Sequence, residues 1–290
     1  MIPKIAYRHI RTGHRFGFIS FTSILSMIGL MLGVASLNVI SSFSAGFSNS
    51  IRHNLSSLDG HIRITKYQSN VGDDLSDVEI QLIQEKLSSI DEITSVTPYI
   101  EKKAIMRLGN QSEGVIVYGI PESALQEIFE LDKILIQGDP ADFNDGIFIG
   151  TELSDNLNVD CDNSLFIFDI ERFILEDITN GKKINVKGVF KSGFSEYDKL
   201  LVFMPLEKAR SFFELGTKAT GLQCMLFDAD DAKLVDEHII SKLGFSPFVT
   251  STWIERHSTL FNWLSIYDVP IKMVMGFIIL IAVFNIAAIL

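Results

Sequence analysis

The side chains able to do chemistry in this chain are few, and their spacing speaks against a catalytic or metal site. The six histidines (His9, His14, His53, His61, His238 and His257) form no HxxxH pair, and the two cysteines form no CxxC. Such spacings bring ligands onto one ion, so no metal is expected. Cys161 and Cys224 sit in different expected elements. A disulfide between them is chemically possible in an oxidising compartment; buried free thiols are the favoured reading, and geometry decides. The acid groups Asp73-Asp74, Asp139/Asp142/Asp145 and Asp228/Asp230/Asp231 stand beside Gly or Pro and read as solvated turns rather than calcium sites. GxSxG, HExxH and Walker A patterns are missing from the sequence. No enzyme activity and no cofactor are therefore expected, and any energised process must draw its energy from a partner.

The elements that would position these residues start from a membrane helix. Phe16 to Phe43 contains no charge; the flanking charges are Arg15 and Arg52. About 20 apolar residues at roughly 1.5 Å rise cross a hydrocarbon core near 30 Å. A single span must be helical, because backbone groups find no water there. A cleaved signal peptide would have a far shorter apolar run. Before the helix lie Lys4, Arg8, Arg11 and Arg15 without an acid. Of 25 Lys+Arg and 36 Asp+Glu, all the acids but only 20 of the bases lie between Ser44 and Pro270. Positive flanks stay cytoplasmic, so the acidic segment is expected outside. Its charge keeps an exposed domain soluble and disfavours nucleic acid.

Residues 1–15 read either as a basic helix at the cytoplasmic interface or as an irregular flank. Residues 16–42 are the first span, in which Ser26, Gly29, Gly33 and Ser36 recur at spacings that let another helix approach closely. Phe43, Phe47, Ile51 and Leu55 recur every four residues, as on an amphipathic stalk leaving the bilayer. Trp253 to Leu264 mirrors it, with Trp263 and Tyr267 near the expected interface. After Lys272 come eighteen uncharged residues to Leu290, read as a second span (270–290) in the front part of a longer chain.

Residues 43–269 carry an α+β domain large enough for two lobes. Strands are expected at His61–Thr65, Gly146–Gly150, Leu165–Phe168, Ile184–Phe190, Leu200–Met204 and Leu222–Phe227, with a hairpin turning at Gly109-Asn110. Ser76-Asp-Val-Glu79 is a capping box opening a helix to about Ile90, with Val78, Leu82, Ile83 and Leu87 on one face. Further helices follow Pro121, Pro205 and Asp231.

The residues go further than the topology. Ala6-Tyr-Arg-His-Ile-Arg11, Phe18-Ile-Ser-Phe21, Gly33-Val-Ala35, Phe43-Ser-Ala-Gly-Phe47, Leu58-Asp-Gly-His-Ile62, Gly119-Ile-Pro121, Gly146-Ile-Phe-Ile-Gly-Thr-Glu-Leu153 and Phe190-Lys-Ser-Gly-Phe-Ser-Glu-Tyr-Asp198 together resemble the LolC/LolE lipoprotein-releasing permeases. Phe277 to Ile286 is similar to that family's second membrane helix. The resemblance runs through the whole chain in order.

It implies an inner-membrane permease of the MacB/FtsX type, with its large domain in the periplasm and a LolD-like ATPase in the cytoplasm. A second permease subunit, acylated lipoproteins, membrane lipid and a periplasmic LolA-like carrier are the implied partners. Ser26, Met27, Leu30, Gly33 and Val34 are assigned by it to acyl chains or the dimer contact. The stretch Asp169–Lys183 corresponds to a carrier-binding hairpin hook, with Asp169, Arg172, Phe173, Glu176, Asn180 and Gly181 as its candidate residues. This stretch lacks the prolines of the family's hook and differs in charge pattern. Alternatives are a MacB-like efflux component, an FtsX-like regulator of cell-wall hydrolases, and, in another class, a two-helix sensor.

Overall fold

The computed structural model describes residues 17–58, 60–67, 74–129, 131–175, 181–244 and 247–289. They divide into a unit of two long helices, up to His53 and from His257, and a compact domain, Asn54–Arg256.

The two long helices are Gly17–Leu58 and Ser258–Ile289. Among the described residues, Met27–Arg52 is long and apolar enough to cross a membrane, and Lys272–Ile281 is a shorter apolar run. The phenylalanines Phe43 and Phe47, one helical turn apart, stack with ring centroids 6.1 Å apart.

In the domain, β1 (Ile62–Lys66) lies between β10 (Phe248–Thr252) and β9 (Gly221–Leu226), and β9 lies beside β2 (Ile93–Leu108). Every one of these pairings is antiparallel. The chain passes from β1 to β2 through the helix Asp77–Leu87, and from β9 to β10 through Ala232–Leu243. Two split βαβ units thus interleave, giving a ferredoxin-like lobe. The capping box closes as the sequence dictates: the Ser76 hydroxyl accepts from the Glu79 N–H, and the Glu79 carboxylate accepts from the Ser76 N–H at 2.9 Å. The buried stripe of that helix is Ile80, Ile83 and Leu87. Val78 and Leu82, expected on the packed face, are exposed instead, because the sheet meets the helix one position round from the predicted stripe.

Everything between β2 and β9 in sequence is a second lobe. It contains β3 (Gln111–Ile120), β4 (Leu135–Gly138), β5 (Ile147–Gly150), β6 (Ser164–Asp169), β7 (Lys182–Phe190) and β8 (Leu201–Pro205). Neighbour by neighbour, β2 pairs β3, β3 pairs β8, β8 pairs β5, β5 pairs β7, β7 pairs β6, and β6 returns to β2. The ring is closed, a six-stranded barrel with β4 attached outside β7. Ile100, Ala104, Met106, Val115, Val117, Ile149, Ile167 and Val202 share one buried core. A second core holds Tyr118, Phe148, Phe190 and Phe203 with Leu125 and Ile128 of the helix Glu122–Phe129. Strands β5 and β8 are buried at every position, which is why they read as continuous apolar runs without alternation.

The expected strands and hairpin are present, the latter turning through Gly109 at φ +60°. The sequence reading missed the first half of β2, β4, β10 and the short helix Ser195–Leu200. Two of the family-like motifs meet in space. A Cβ at Gly150 would collide with the backbone of Asp198. The buried Asp198 carboxylate in turn accepts from the Ser192 N–H and hydroxyl, both at 2.7 Å.

Two outcomes are expected in denaturant unfolding of the purified chain. Gly150→Ala costs about 3 kcal/mol, as overpacking against backbone does, whereas Gly114→Ala, with open space around its Cβ, stays within about 0.5 kcal/mol. Ser76→Ala costs about 1 kcal/mol near neutral pH. Burial pushes the Glu79 carboxyl up, but the Ser76 hydrogen bonds and the Lys66 charge outweigh it and hold its pKa below the ordinary value. A depressed carboxylate stabilises above its unfolded pKa and loses that contribution as pH falls through the folded one. The Ser76→Ala deficit therefore shrinks in acid; an undiminished deficit would show that Glu79 is not part of the cap.

Candidate functional site

The residues expected to meet lipid or a second subunit lie on the first long helix. Met27 and Val34 are exposed, the former at 62%. Gly33 faces the other way: a Cβ there would lie 3.0 Å from Ile278 Cγ2 of the second long helix, whereas Gly29 has open space around it. The GxxxG pair is thus split: one glycine seats a helix of the same chain, and the other has no described atom within 4 Å of where a Cβ would be. Ser26 and Leu30 are helical, but their side chains lie outside the described residues. Within the same unit the Arg52 guanidinium sits 5.3 Å above the Phe261 ring, a cation–π contact between the helices.

The candidate hook leaves the barrel between β6 and β7, which pair antiparallel from Ser164↔Asn185 to Ile167↔Lys182. Hydrogen bonding to β2 carries β6 on to Asp169, opposite Ala104. The chain then forms a short helix, Ile170–Leu175. Asp169 starts it, its carboxylate accepting from the Glu171 N–H at 2.9 Å. Burial pushes the Asp169 pKa up against this hydrogen bond. Arg172 forms an ion pair with Glu214, in the turn after the helix Leu206–Phe212. At the return, Gly181 lies against the Phe168 ring, 2.6 Å from where a Cβ would be. The hook's root is therefore described on both sides. Glu176 and Asn180, and the side chain of Phe173, lie outside the described residues.

Two polar clusters beside this root have no counterpart in the sequence reading. Lys102, on β2, reaches Asp74 and Glu171, each at 3.5 Å. The Asp74 side chain is 2% exposed, so it is a buried ion-pair partner and not the solvated turn expected of Asp73-Asp74; Asp73 itself lies outside the described residues. A signal was available: Lys102 shares strand parity with Ile100, Ala104 and Met106, which all point inward. The second cluster joins the lobes. Arg63 on β1 pairs with Glu101 at 2.5 Å and donates to the Tyr118 hydroxyl at 3.1 Å. Its guanidinium lies 4.8 Å from the Tyr99 ring and 5.0 Å from the Tyr118 ring. The Tyr118 hydroxyl donates to Gln223 Oε1 on β9 at 2.6 Å.

The segment leading into β1 is fastened to the rest of the domain. The Arg256 guanidinium donates to the Gly60 carbonyl and to the Ser251 carbonyl. His61 Nδ1 accepts from the Leu226 N–H at 2.9 Å, and the Trp253 N–H donates to the His61 carbonyl at 2.9 Å. Trp253 is fully buried, its indole N–H donating to the Ala229 carbonyl at 2.7 Å.

The remaining reactive residues are structural. Both cysteines are free thiols; Cys224 is buried and its pKa is pushed up to about 12 by desolvation. Asp139 and Asp228 cap short turns through Ala141 N–H and Asp230 N–H, both at 2.9 Å. Among the described residues, no three of His, Cys, Asp and Glu converge as a metal requires. Among the described residues, these polar contacts tie elements of the domain to one another.

A family profile described as the MacB-like periplasmic core domain matches residues 23–241. The chain is 24% identical over 291 residues to the lipoprotein-releasing system transmembrane protein LolC of Xylella fastidiosa, covering 98% of this chain and 68% of the relative. It is also 24% identical over 289 residues to LolC of Neisseria meningitidis, with the same two coverages. Among solved structures, the periplasmic region of MacB from Actinobacillus actinomycetemcomitans aligns at 17% identity and a TM-score of 0.45, over 70% of this chain and 93% of that one. The extracellular domain of the noncanonic ABC-type transporter YknZ from Gram-positive bacteria aligns at 14% identity and a TM-score of 0.42, over 66% and 99%. With three quarters of its length inside the matched profile, the chain belongs to the MacB-like periplasmic core domain family, as a LolC/MacB-type permease subunit.

Proposed function

We propose that this subunit extracts acylated lipoproteins from the outer leaflet of the bacterial inner membrane and hands them to a LolA-like periplasmic carrier, driven by a separate LolD-like ATPase. The observation that carries the reading is the extent of the likeness: relatives named for lipoprotein release align over 98% of this chain, both long helices included. In this reading residues 16–42 and 270–290 span the membrane, residues 1–15 are cytoplasmic, and residues 43–269 are periplasmic. The four bases before the first helix and the acids confined to the domain support that orientation.

The chemistry then divides between two places. Acyl chains are apolar and need an apolar path out of the bilayer; the exposed Met27, Met31 and Val34 of the first helix offer it, facing a second permease subunit. The carrier needs a fixed handle, and the excursion between β6 and β7 supplies one. The force generated by the ATPase reaches that handle through the long helices, the Arg256–Gly60 clasp and the Arg63 joint. An efflux component or a regulator of cell-wall hydrolases would use the same coupling without acyl cargo.

Photo-crosslinking from Met27 and Leu30 in the full-length protein, assembled with its ATPase, tests the reading. Capture of a triacylated lipoprotein, lost on adding ATP and carrier, is the expected result. Crosslinks confined to phospholipid or a partner helix in an active, intact complex would move the assignment to efflux or regulation.

A further inference from the structure

We propose that Lys102 is a positioning residue that fixes the attitude of the helix Ile170–Leu175, at the start of the β6–β7 excursion, to the ferredoxin-like lobe. Two separate pieces of chain converge on its ammonium group. Asp74, 3.5 Å away, belongs to the crossover from β1 to β2, one residue before the bridge of Leu75 to Ala219. Glu171, also at 3.5 Å, is in the first turn of the excursion's helix. Lys102 itself sits on β2 opposite Val117, in the strand common to both lobes. The side chains of Lys102 and Asp74 are 10% and 2% exposed, so their attraction is little screened, whereas Glu171 is 42% exposed at the rim.

The charges are unequal in a way that gives this lysine its role. Asp74 and Glu171 share one cation, and the half-buried Asp169 lies within its field as well. Asp74 Oδ1 has no hydrogen-bond partner among the described residues, so the carboxylate depends on the ammonium for its compensation. Lys102 is thereby held on the Asp74 side and presents its remaining protons to the excursion. Arg172, paired with Glu214, ties the same helix to the turn after the helix Leu206–Phe212. A six-residue helix has too few hydrogen bonds to fix its own direction. Its attitude is set by these two charged contacts, and one of them leads straight to the crossover of the other lobe.

The proposal rests on the carrier-handle reading only for its purpose, and the test separates the two. Amide hydrogen exchange is followed in the full-length protein for residues 171–175, with β6 and β7 as internal references. Glu171→Gln cuts the link while leaving the buried Asp74–Lys102 pair intact. It is expected to raise exchange of the helix about tenfold, the loss of one charge-assisted contact, with the references unchanged; Glu171→Asp restores most of the protection. Lys102→Met combined with Asp74→Asn removes both buried charges without orphaning either, and is expected to match Glu171→Gln. Unchanged exchange in both variants, or wild-type amides already at the unstructured rate, would overturn the proposal. Affinity for the purified carrier is measured on the same variants. Faster exchange with weaker carrier binding supports both ideas. Faster exchange with unaltered binding supports the positioning role and removes the excursion as the carrier's handle.

Discussion

One strand holds this molecule together. β2 is 16 residues long, and its two halves belong to different sheets: Ile93–Tyr99 pairs with β9 in the ferredoxin-like lobe, and Ile100–Leu108 pairs with β3 in the barrel. A backbone ladder cannot slip by one residue without turning every side chain to the wrong face. The register of one lobe therefore fixes the register of the other. The polar joint around Arg63 sits at the changeover and adds a second constraint. Arg63 can pair with Glu101, meet two aromatic rings and reach a tyrosine hydroxyl at once because its guanidinium is planar and carries five donors. A lysine offers a point charge and could not span the same set.

The two lobes differ in how they answer the problem of unpaired strand edges. The barrel closes on itself through β6, which bonds to β2 on one side and β7 on the other. Only short β4 hangs outside. Closure removes the open edges and buries Ile100, Ala104, Met106, Val117 and Val202 in one core. The β6–β7 excursion starts from strands held on both sides, β6 by β2 and β7, and β7 by β5 and β6.

Much of this was legible in the sequence, and the failures have physical causes. Capping chemistry, turn glycines and apolar runs located the helix from Asp77, the hairpin at Gly109 and strands β5 to β9, because those signals are local. The first half of β2 was missed since Ile93-Thr-Ser-Val-Thr-Pro98 mixes small polar residues with a proline, and its strand character comes from β9, far along the chain. The face of the first crossover helix was misjudged by one position because Val78 and Leu82 are apolar yet exposed. The strands on either side of the candidate hook, at Leu165–Phe168 and Ile184–Phe190, were readable as apolar runs, whereas the Lys102 and Arg63 clusters were not. Their partners lie as far apart as Arg63 and Tyr118, and a charge in a strand looks solvated until the third dimension is known.

The barrel's insertion between β2 and β9 also dictates an order of assembly. β1 follows the first long helix at once, yet both of its neighbours, β9 and β10, come roughly 160 to 190 residues later. The barrel needs only chain that lies between them, so it can close while β1 still has no partner. The ferredoxin-like lobe cannot be completed until β9 and β10 have been made, nor can the clasp at Gly60 and Arg256. Loop-closure entropy makes such distant pairing slow. During synthesis β1 thus stays unpaired until β9 and β10 have been made, an interval in which its open edge is accessible to a chaperone or a neighbouring copy.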